Sequence, residues 1–523
     1  MLTRRTFLES SAATALATRL FAAPAGSNKP NAELESLGAV ALNEAKKQKA
    51  TYCDIRIIRY RRQFVNVRLN PERGTGKTLE VPNVADTGSF GFGVRVIADG
   101  AWGFAASPFV TKDEIARITR EAITVARANA VLQSRPLVLA PVGAYRDRWQ
   151  TPHESDPFAV PLEQKLELIR SAAAEVKKGK GVFAAGCNLS FRSEDKYFAS
   201  SEGSSIQQLN LQTYGQVNGT AVDMKRGISR SRRFQPPQVT AGYEYIPIMN
   251  LVENAQRVRE EVIEHLNAPA VTAGKKDLVL LPSHLWLTIH ESLGHSTELD
   301  RALGYEANYA GTSFLTPDKL GKERVGSEIV NVWGDRTNDR GLATTAYDDD
   351  GVKTTKFPII EKGIFKHYQT IRDQASLIGE KESRGCCYAD SWSSVPFQRM
   401  PNVWLEPGKQ GTSLDDLISG VEDGILIDGD GSFSIDQQRY NFQFGGDAFW
   451  AIKGGKKQGM VSQVAYQSRT TDFWQACDLI AGPSYWQQWG AANDGKGEPG
   501  QINSVSHGCS PARFRQINVI VTD

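Results

Sequence analysis

Residues 290–295 read His-Glu-Ser-Leu-Gly-His, and this spacing constrains the backbone more than any other segment does. In a regular α-helix positions i and i+4 share a face, while i+5 sits roughly 140° round the cylinder. If His290 and His295 serve one ion, the helix carrying them must widen by a residue, as a single π-type turn does. Gly294, which has no Cβ, suits such a distortion. The alternative is two helical histidines on different faces, one buried and one solvated. Chemistry favours convergence. Neutral imidazole is the commonest zinc ligand, and a glutamate beside it, here Glu291, is the usual base in metal-assisted peptide hydrolysis.

The N-terminus points to a compartment. Arg4-Arg5 precede Phe7-Leu8, a small-residue stretch from Ser10 to Ala17, and Ala23-Pro-Ala25. This is the pattern of a twin-arginine signal over residues 1–25, which sends a folded protein to the periplasm. Its apolar stretch falls well short of the ~20 residues that a membrane span needs. Arg4, Arg5 and Arg19 less Glu9 give the signal a charge of +2, which equals the formal charge of all 523 residues. The remainder is close to neutral. No basic field is left to hold nucleic acid or an anionic membrane. Six cysteines (53, 187, 386, 387, 477, 509) include no Cys-x-x-Cys pair, which excludes a disulfide scaffold and a zinc ribbon.

Patterning along the chain predicts an α+β protein. A helix over 31–48 leads to strands at 52–58 and 64–69, then to a hairpin, 92–97 with 101–105, turning at Asp99-Gly100. Thr111-x-x-Glu114 reads as a capping box opening a helix to about 131. Helices over 161–178 and 250–267 flank further strands. The segment 267–274 reads as a linker between a helix-containing mixed N-terminal domain, 31–266, and a mainly antiparallel β domain, 275–523, that carries the His motif. There Ser283 is the expected N-cap of the motif's helix, with Trp286, Ile289 and Leu293 toward the core. Two acidic glycine-containing runs, 348–351 and 428–432, read as plain turns. Gly74-Thr-Gly-Lys-Thr78 lacks the first glycine of a phosphate loop and also reads as a turn. His265, His284 and His367 read as solvated or structural residues, and the role of His507 stays open.

His290-Glu-Ser-Leu-Gly-His-Ser-Thr-Glu298-Leu-Asp300 resembles the signature of the TldD/PmbA metallopeptidases. Gly93–Phe104, Tyr347–Gly351, Ile360–Gly363, Arg399–Asn402 and Glu406–Gly408 resemble further blocks of that family, in its order. The resemblance runs from about residue 50 to the end, and only the His-Glu-x-x-x-His block is specific. It implies a peptidase that takes flexible or unfolded peptides as extended strands, paired through their main chain. It implies one divalent metal, zinc for choice, held by His290 and His295, with Glu291 as general base and Glu298 or Asp300 orienting a ligand imidazole. It also implies a catalytic subunit working beside a PmbA-like partner that lacks the motif, or self-association. The family's third ligand is a cysteine in a Cys-Gly-Lys block. Here the matching stretch reads Asp494-Gly495-Lys496, so Asp494 stands for the thiolate, with Cys509 as rival. A carboxylate is an acceptable zinc ligand, though a harder one. A second class of function remains open at this stage: an inactive peptide-binding or scaffolding subunit.

Overall fold

Strand β1, Tyr52–Pro71, shows how the first half is built. Its odd-numbered residues Cys53, Ile55, Ile57, Val65, Val67 and Leu69 are buried in apolar clusters. From its other face Arg56 reaches Asp349 and Tyr60 reaches the Ala389 carbonyl, both in the second half of the chain. The alternation is the period of two that a pleated strand imposes. The sequence reads this stretch as two strands, 52–58 and 64–69, yet the ladder to its neighbours is continuous. The polar middle stays in the sheet because Arg59 pairs with Asp195 and Arg61 with Asp86 across adjacent strands.

In this computed structural model the described residues are 16–17, 19–21 and 29–522, apart from 73, 74 and 76. The expected signal segment, 1–25, lies almost wholly outside them, as does part of the turn at 74–78. Strands β2 (Thr78–Ala98), β3 (Ala101–Ser107), β4 (Arg146–Gln150), β5 (Val182–Ser200), β6 (Ser205–Asp223), β7 (Ile228–Phe234) and β8 (Val239–Thr240) join β1 in one sheet. Its order is β3-β2-β1-β5-β6-β4, with β7 and β8 also on β6. Helices α1 (Ala32–Lys47) and α2 (Lys112–Ala130) cover one end of a single face. Helices α3 (Leu162–Lys177) and α4 (Leu251–Asn267) cover the other end. The capping box at Thr111 is half formed: Thr111 accepts from the Glu114 amide, but the Glu114 carboxylate turns to Arg117 and Ser107.

The second half closes on itself. Strands β9 (Gly274–Leu280), β10 (Asp423–Ile435), β11 (Asn441–Lys453), β12 (Lys456–Met460), β13 (Val464–Arg469), β14 (Cys477–Ile480), β15 (Gln487–Lys496), β16 (Gln501–Cys509) and β17 (Ala512–Val521) follow. Pairings run β10-β9-β17-β13-β11 and return from β11 to β10, which makes a closed five-stranded ring. Leu278, Leu280, Ile425 and Ile427 enter one core, while Val279 and Leu426 between them enter another on the opposite side. Strands β15 and β16 form a separate ribbon. Against ring and ribbon packs α5, Pro282–Ile289, the helix that leads into the His motif. The architecture is α+β, with a second half that is mainly antiparallel sheet. No helix among the described residues is long and apolar enough to cross a membrane.

The halves meet through polar groups. Gln208, Asn210 and Gln212, successive residues on one face of β6, donate to the carbonyls of Tyr347, Thr344 and Leu342. Of the two acidic runs, 348–351 is a turn, while 428–432 is not: it lies within strand β10, where the register slips between Asp430 and Phe433, and neither run is left to solvent. Asp349 pairs with Lys196 and Arg56, Asp350 with Arg95, and Asp428 with Arg232. Each of these pairs joins the first half to the second.

Candidate metal centre

The helix begins at Pro282, which suits the first helical position because its missing N–H would have no helical partner there. Ser283 is therefore inside the helix rather than its cap: its hydroxyl accepts from the Gly429 amide and donates to Asp428. Trp286, Ile289 and Leu293 are buried as their spacing predicts. At His290–Gly294 the helix widens into a π turn, closed by the bond from the His295 amide to the His290 carbonyl. Neighbouring hydroxyls hold carbonyls around the distortion. Ser292 bonds that of Thr288, Ser296 that of Ser292, and Thr297 that of Leu293. Gly294 has φ −57°, so dihedral freedom is not its contribution. A Cβ there would lie 2.7 Å from the Met400 sulfur. What the missing Cβ permits is the close approach of Met400.

The widened turn brings both imidazoles to one point. His290 Nε2 is 3.4 Å and His295 Nε2 3.5 Å from Asp494 Oδ1. Among the described residues these three form a group whose ligand atoms all lie within 4.8 Å of one another. Bonds of about 2.0–2.1 Å at tetrahedral angles put ligand atoms roughly 3.4 Å apart, so the spacing fits a zinc-sized ion. All three residues are buried.

Hydrogen bonds fix which nitrogens face inward. The Val403 carbonyl can only accept, so His507 donates to it from Nδ1, at 2.9 Å, and leaves Nε2 bare. That bare nitrogen accepts from His290 Nδ1 at 2.8 Å, which turns the lone pair of His290 Nε2 toward Asp494. On the other ligand, His295 Nδ1 donates to Glu298 Oε2 at 2.9 Å, with the same result. Two lone pairs can thus converge on a carboxylate, an arrangement that a cation between them would satisfy. Electrostatics agree. Burial opposes charge on His295, but Glu298 and Asp494 outweigh it and raise its pKa. Asp494 is also buried, yet His295 and His290 hold its pKa well below the usual carboxylate range. Burial, reinforced by His290, pushes His507 well down and keeps it neutral.

Asp494 reaches the site through an irregularity in β15. The ribbon register slips between Ala491 and Asp494, a bulge of the kind that re-aims a side chain. Arg192 of β5 grips the extra residues, donating to the Ala492 carbonyl at 2.5 Å and the Asn493 side chain at 2.6 Å. Arg399 holds Asp494 itself by carbonyl and carboxylate. Cys509, the rival ligand, lies elsewhere: its thiol sits in the apolar core, 4.0 Å from the Pro282 carbonyl. Of the two carboxylates expected to orient an imidazole, Glu298 does so. Asp300 instead receives Lys496, at 2.8 Å. Glu291 lies on the π turn, its Oε2 paired with Arg439 Nη1 at 2.5 Å. Two participants, His507 and Arg439, carry no local signal in the sequence. They stand 217 and 148 residues from the groups they touch.

With this geometry in view, the relatives are informative. Residues 273–520 match the family model described as the PmbA/TldA metallopeptidase C-terminal domain, and residues 80–126 match that family's domain 1, together more than half of the chain. The chain belongs to the TldD/PmbA family. A metalloprotease of Methanocaldococcus jannaschii is 26% identical over 424 residues, 80% of this chain and 89% of that protein. A zinc metalloprotease TldD homolog of Saccharolobus solfataricus is 23% identical over 485 residues, 91% of this chain and 98% of its own. TldE from Thermococcus kodakarensis shares the fold, with a TM-score of 0.70 at 19% identity, covering 93% of this chain and all of that one. Among such TldD/PmbA proteins, the present chain carries a His/His/Asp set suited to a metal ion.

Proposed function

We propose that this chain is an exported zinc-dependent peptidase that hydrolyses flexible or unfolded peptides, with His290, His295 and Asp494 as ligands and Glu291 as general base. The observation that carries the reading is the convergence of two imidazole lone pairs on a buried carboxylate, each imidazole locked in the required tautomer by a bond behind it. A divalent ion held there would acidify a water and polarise a peptide carbonyl. The chain's own residues supply the remainder. The Glu291 carboxylate takes the proton from the attacking water as oxygen bonds to the carbonyl carbon. It then returns that proton to the amide nitrogen as the C–N bond breaks, leaving an acid and an amine. His507 and Glu298 hold the ligand imidazoles in orientation, and Arg399 keeps Asp494 turned inward.

Substrate selection rests on main-chain pairing of an extended strand, which tolerates varied sequence. A PmbA-like subunit or a second copy completes the working assembly. The twin arginines direct the folded protein to the periplasm. The decisive pair of variants is Glu291→Ala and His290→Ala. The first should keep the metal and lose cleavage of an unstructured peptide, because it removes the base and no ligand. The second should lose the metal. Undiminished turnover in Glu291→Ala, or a well-folded wild type that binds no metal, would turn the reading toward a scaffold. Export is checked by fractionating cells that carry Arg4→Lys with Arg5→Lys, which should retain the protein in the cytoplasm.

A further inference from the structure

Arg439 stands in the turn between β10 and β11, 148 residues from Glu291 in sequence. Its Nη1 is 2.5 Å from Glu291 Oε2, and the side chain is only 11% exposed. A guanidinium beside the base is poor design if its sole task is to neutralise that base. Three features point to another task. First, Nε of Arg439 is buried without a hydrogen-bond partner; a desolvated charged donor with nothing to bond is costly and calls for an acceptor. Second, the residue occupies the left-handed region at φ +62°, a conformation that non-glycine residues keep only when the surroundings enforce it. Third, the surroundings do enforce it. The Arg439 amide donates to the Asp436 carbonyl, the Arg439 carbonyl accepts from Thr470, and the Asp436 carboxylate accepts from the amides of Tyr440 and Asn441. The turn is held rigid and delivers one cation to the catalytic carboxylate.

Position supplies the role. During hydrolysis the carbonyl carbon must meet a water that Glu291 is deprotonating, so the carbonyl oxygen lies within a few ångströms of that carboxylate. This is where Arg439 stands. We propose that Arg439 is a catalytic residue that donates from its guanidinium to the carbonyl oxygen of the scissile peptide and stabilises the negative charge it gains as water adds. No proton leaves the guanidinium. The proton taken from water travels by Glu291 to the leaving amine, and Arg439 contributes a hydrogen bond that is strongest when the oxygen is anionic.

This role rests on the peptidase reading above, and the experiment separates the two. Arg439→Ala and Arg439→Lys are compared with wild type in the zinc-loaded, full-length protein. Measurements are zinc content, kcat and KM on an unstructured peptide, and the affinities of two uncleavable peptides. One carries a phosphinate in place of the scissile amide, imitating the anionic tetrahedral oxygen; the other carries a methyleneamine, which has no oxygen there. Arg439→Ala should keep its zinc, lose about 100- to 1,000-fold in kcat with little change in KM, and lose affinity for the phosphinate by a similar factor. Its affinity for the methyleneamine should stay within about twofold. Arg439→Lys should recover part of both losses. Equal weakening of the two ligands, unchanged phosphinate affinity, or loss of zinc would overturn the assignment. A zinc-loaded wild type that cleaves no peptide would instead bring down the peptidase reading, and this role with it.

Discussion

His507 decides the state of a residue that it does not replace. Because it accepts from His290 Nδ1 while donating to a backbone carbonyl, it fixes the tautomer that leaves His290 Nε2 bare. Partners of this kind behind a ligand are usually worth 10- to 100-fold in metal affinity. His507→Ala should therefore weaken zinc binding by about that factor in a chelator competition, with all three ligands intact. Wild-type affinity in that variant would show that the imidazole orients itself. Gly294 makes a different demand, one of volume. A methyl group there meets the sulfur of the buried Met400 side chain at 2.7 Å, so that side chain must shift. Gly294→Ala should cost about 1–3 kcal/mol of unfolding free energy, the usual range for overpacking, measured by urea titration. A cost near zero would mean that Met400 finds another rotamer.

At the level of elements, the π turn was legible because arithmetic forces it: two ligands five positions apart cannot share one face of a regular helix. The chemistry of the ligands and the geometry of the backbone pointed to one answer. The same holds for α1, α3 and α4, whose apolar period is long and clear, and for the hairpin at Asp99-Gly100, where both turn residues have positive φ. Other features were not legible, for physical reasons. β1 reads as two strands because its middle is charged, and only the cross-strand partners Asp195 and Asp86 explain why it stays paired. Ser283 reads as a cap because a serine follows a proline at a helix start, yet Asp428, far along the chain, claims its hydroxyl. The bulge in β15 leaves no trace in a stretch rich in small and polar residues. Its anchor, Arg192, comes from the other half of the molecule. Arg192→Ala should loosen that bulge and weaken zinc binding by about tenfold, the low end for outer partners, while leaving thermal stability nearly unchanged. Unaltered affinity would show that Arg399 and the ribbon suffice to aim Asp494.

For the whole molecule, the seam between halves is polar and depends on ionisation, so stability should vary with pH in a direction set by its buried groups. His265 on α4 is the clearest case. Its ring packs edge-on against Phe449 of β11, and its Nδ1 is buried without a partner. Burial, together with Arg230 and Arg232, lowers its pKa from 6.5 to about 4. A folded-state value below the unfolded one means that the unfolded chain takes up a proton at about pH 6.5 that the folded chain refuses until about pH 4. The contribution of neutral His265 is thus fully present above pH 6.5 and is lost as the pH falls through that window. Its slope approaches ~1.4 kcal/mol per pH unit, or about 2 kcal/mol between pH 6.5 and 5. Asp348 acts in the opposite sense: burial, with Asp350 beside it, raises its carboxyl to about 7, so acidification relieves a penalty there. Comparing variants isolates the histidine. His265→Leu keeps the packing volume, removes the proton and leaves Asp348 untouched. Its loss of unfolding free energy between pH 7 and pH 5, from urea titrations of the metal-free protein, should be smaller than that of wild type by about 2 kcal/mol. Equal losses in the two proteins would mean that His265 accepts its proton in the folded state, and that the seam is wetter at that point than its burial indicates.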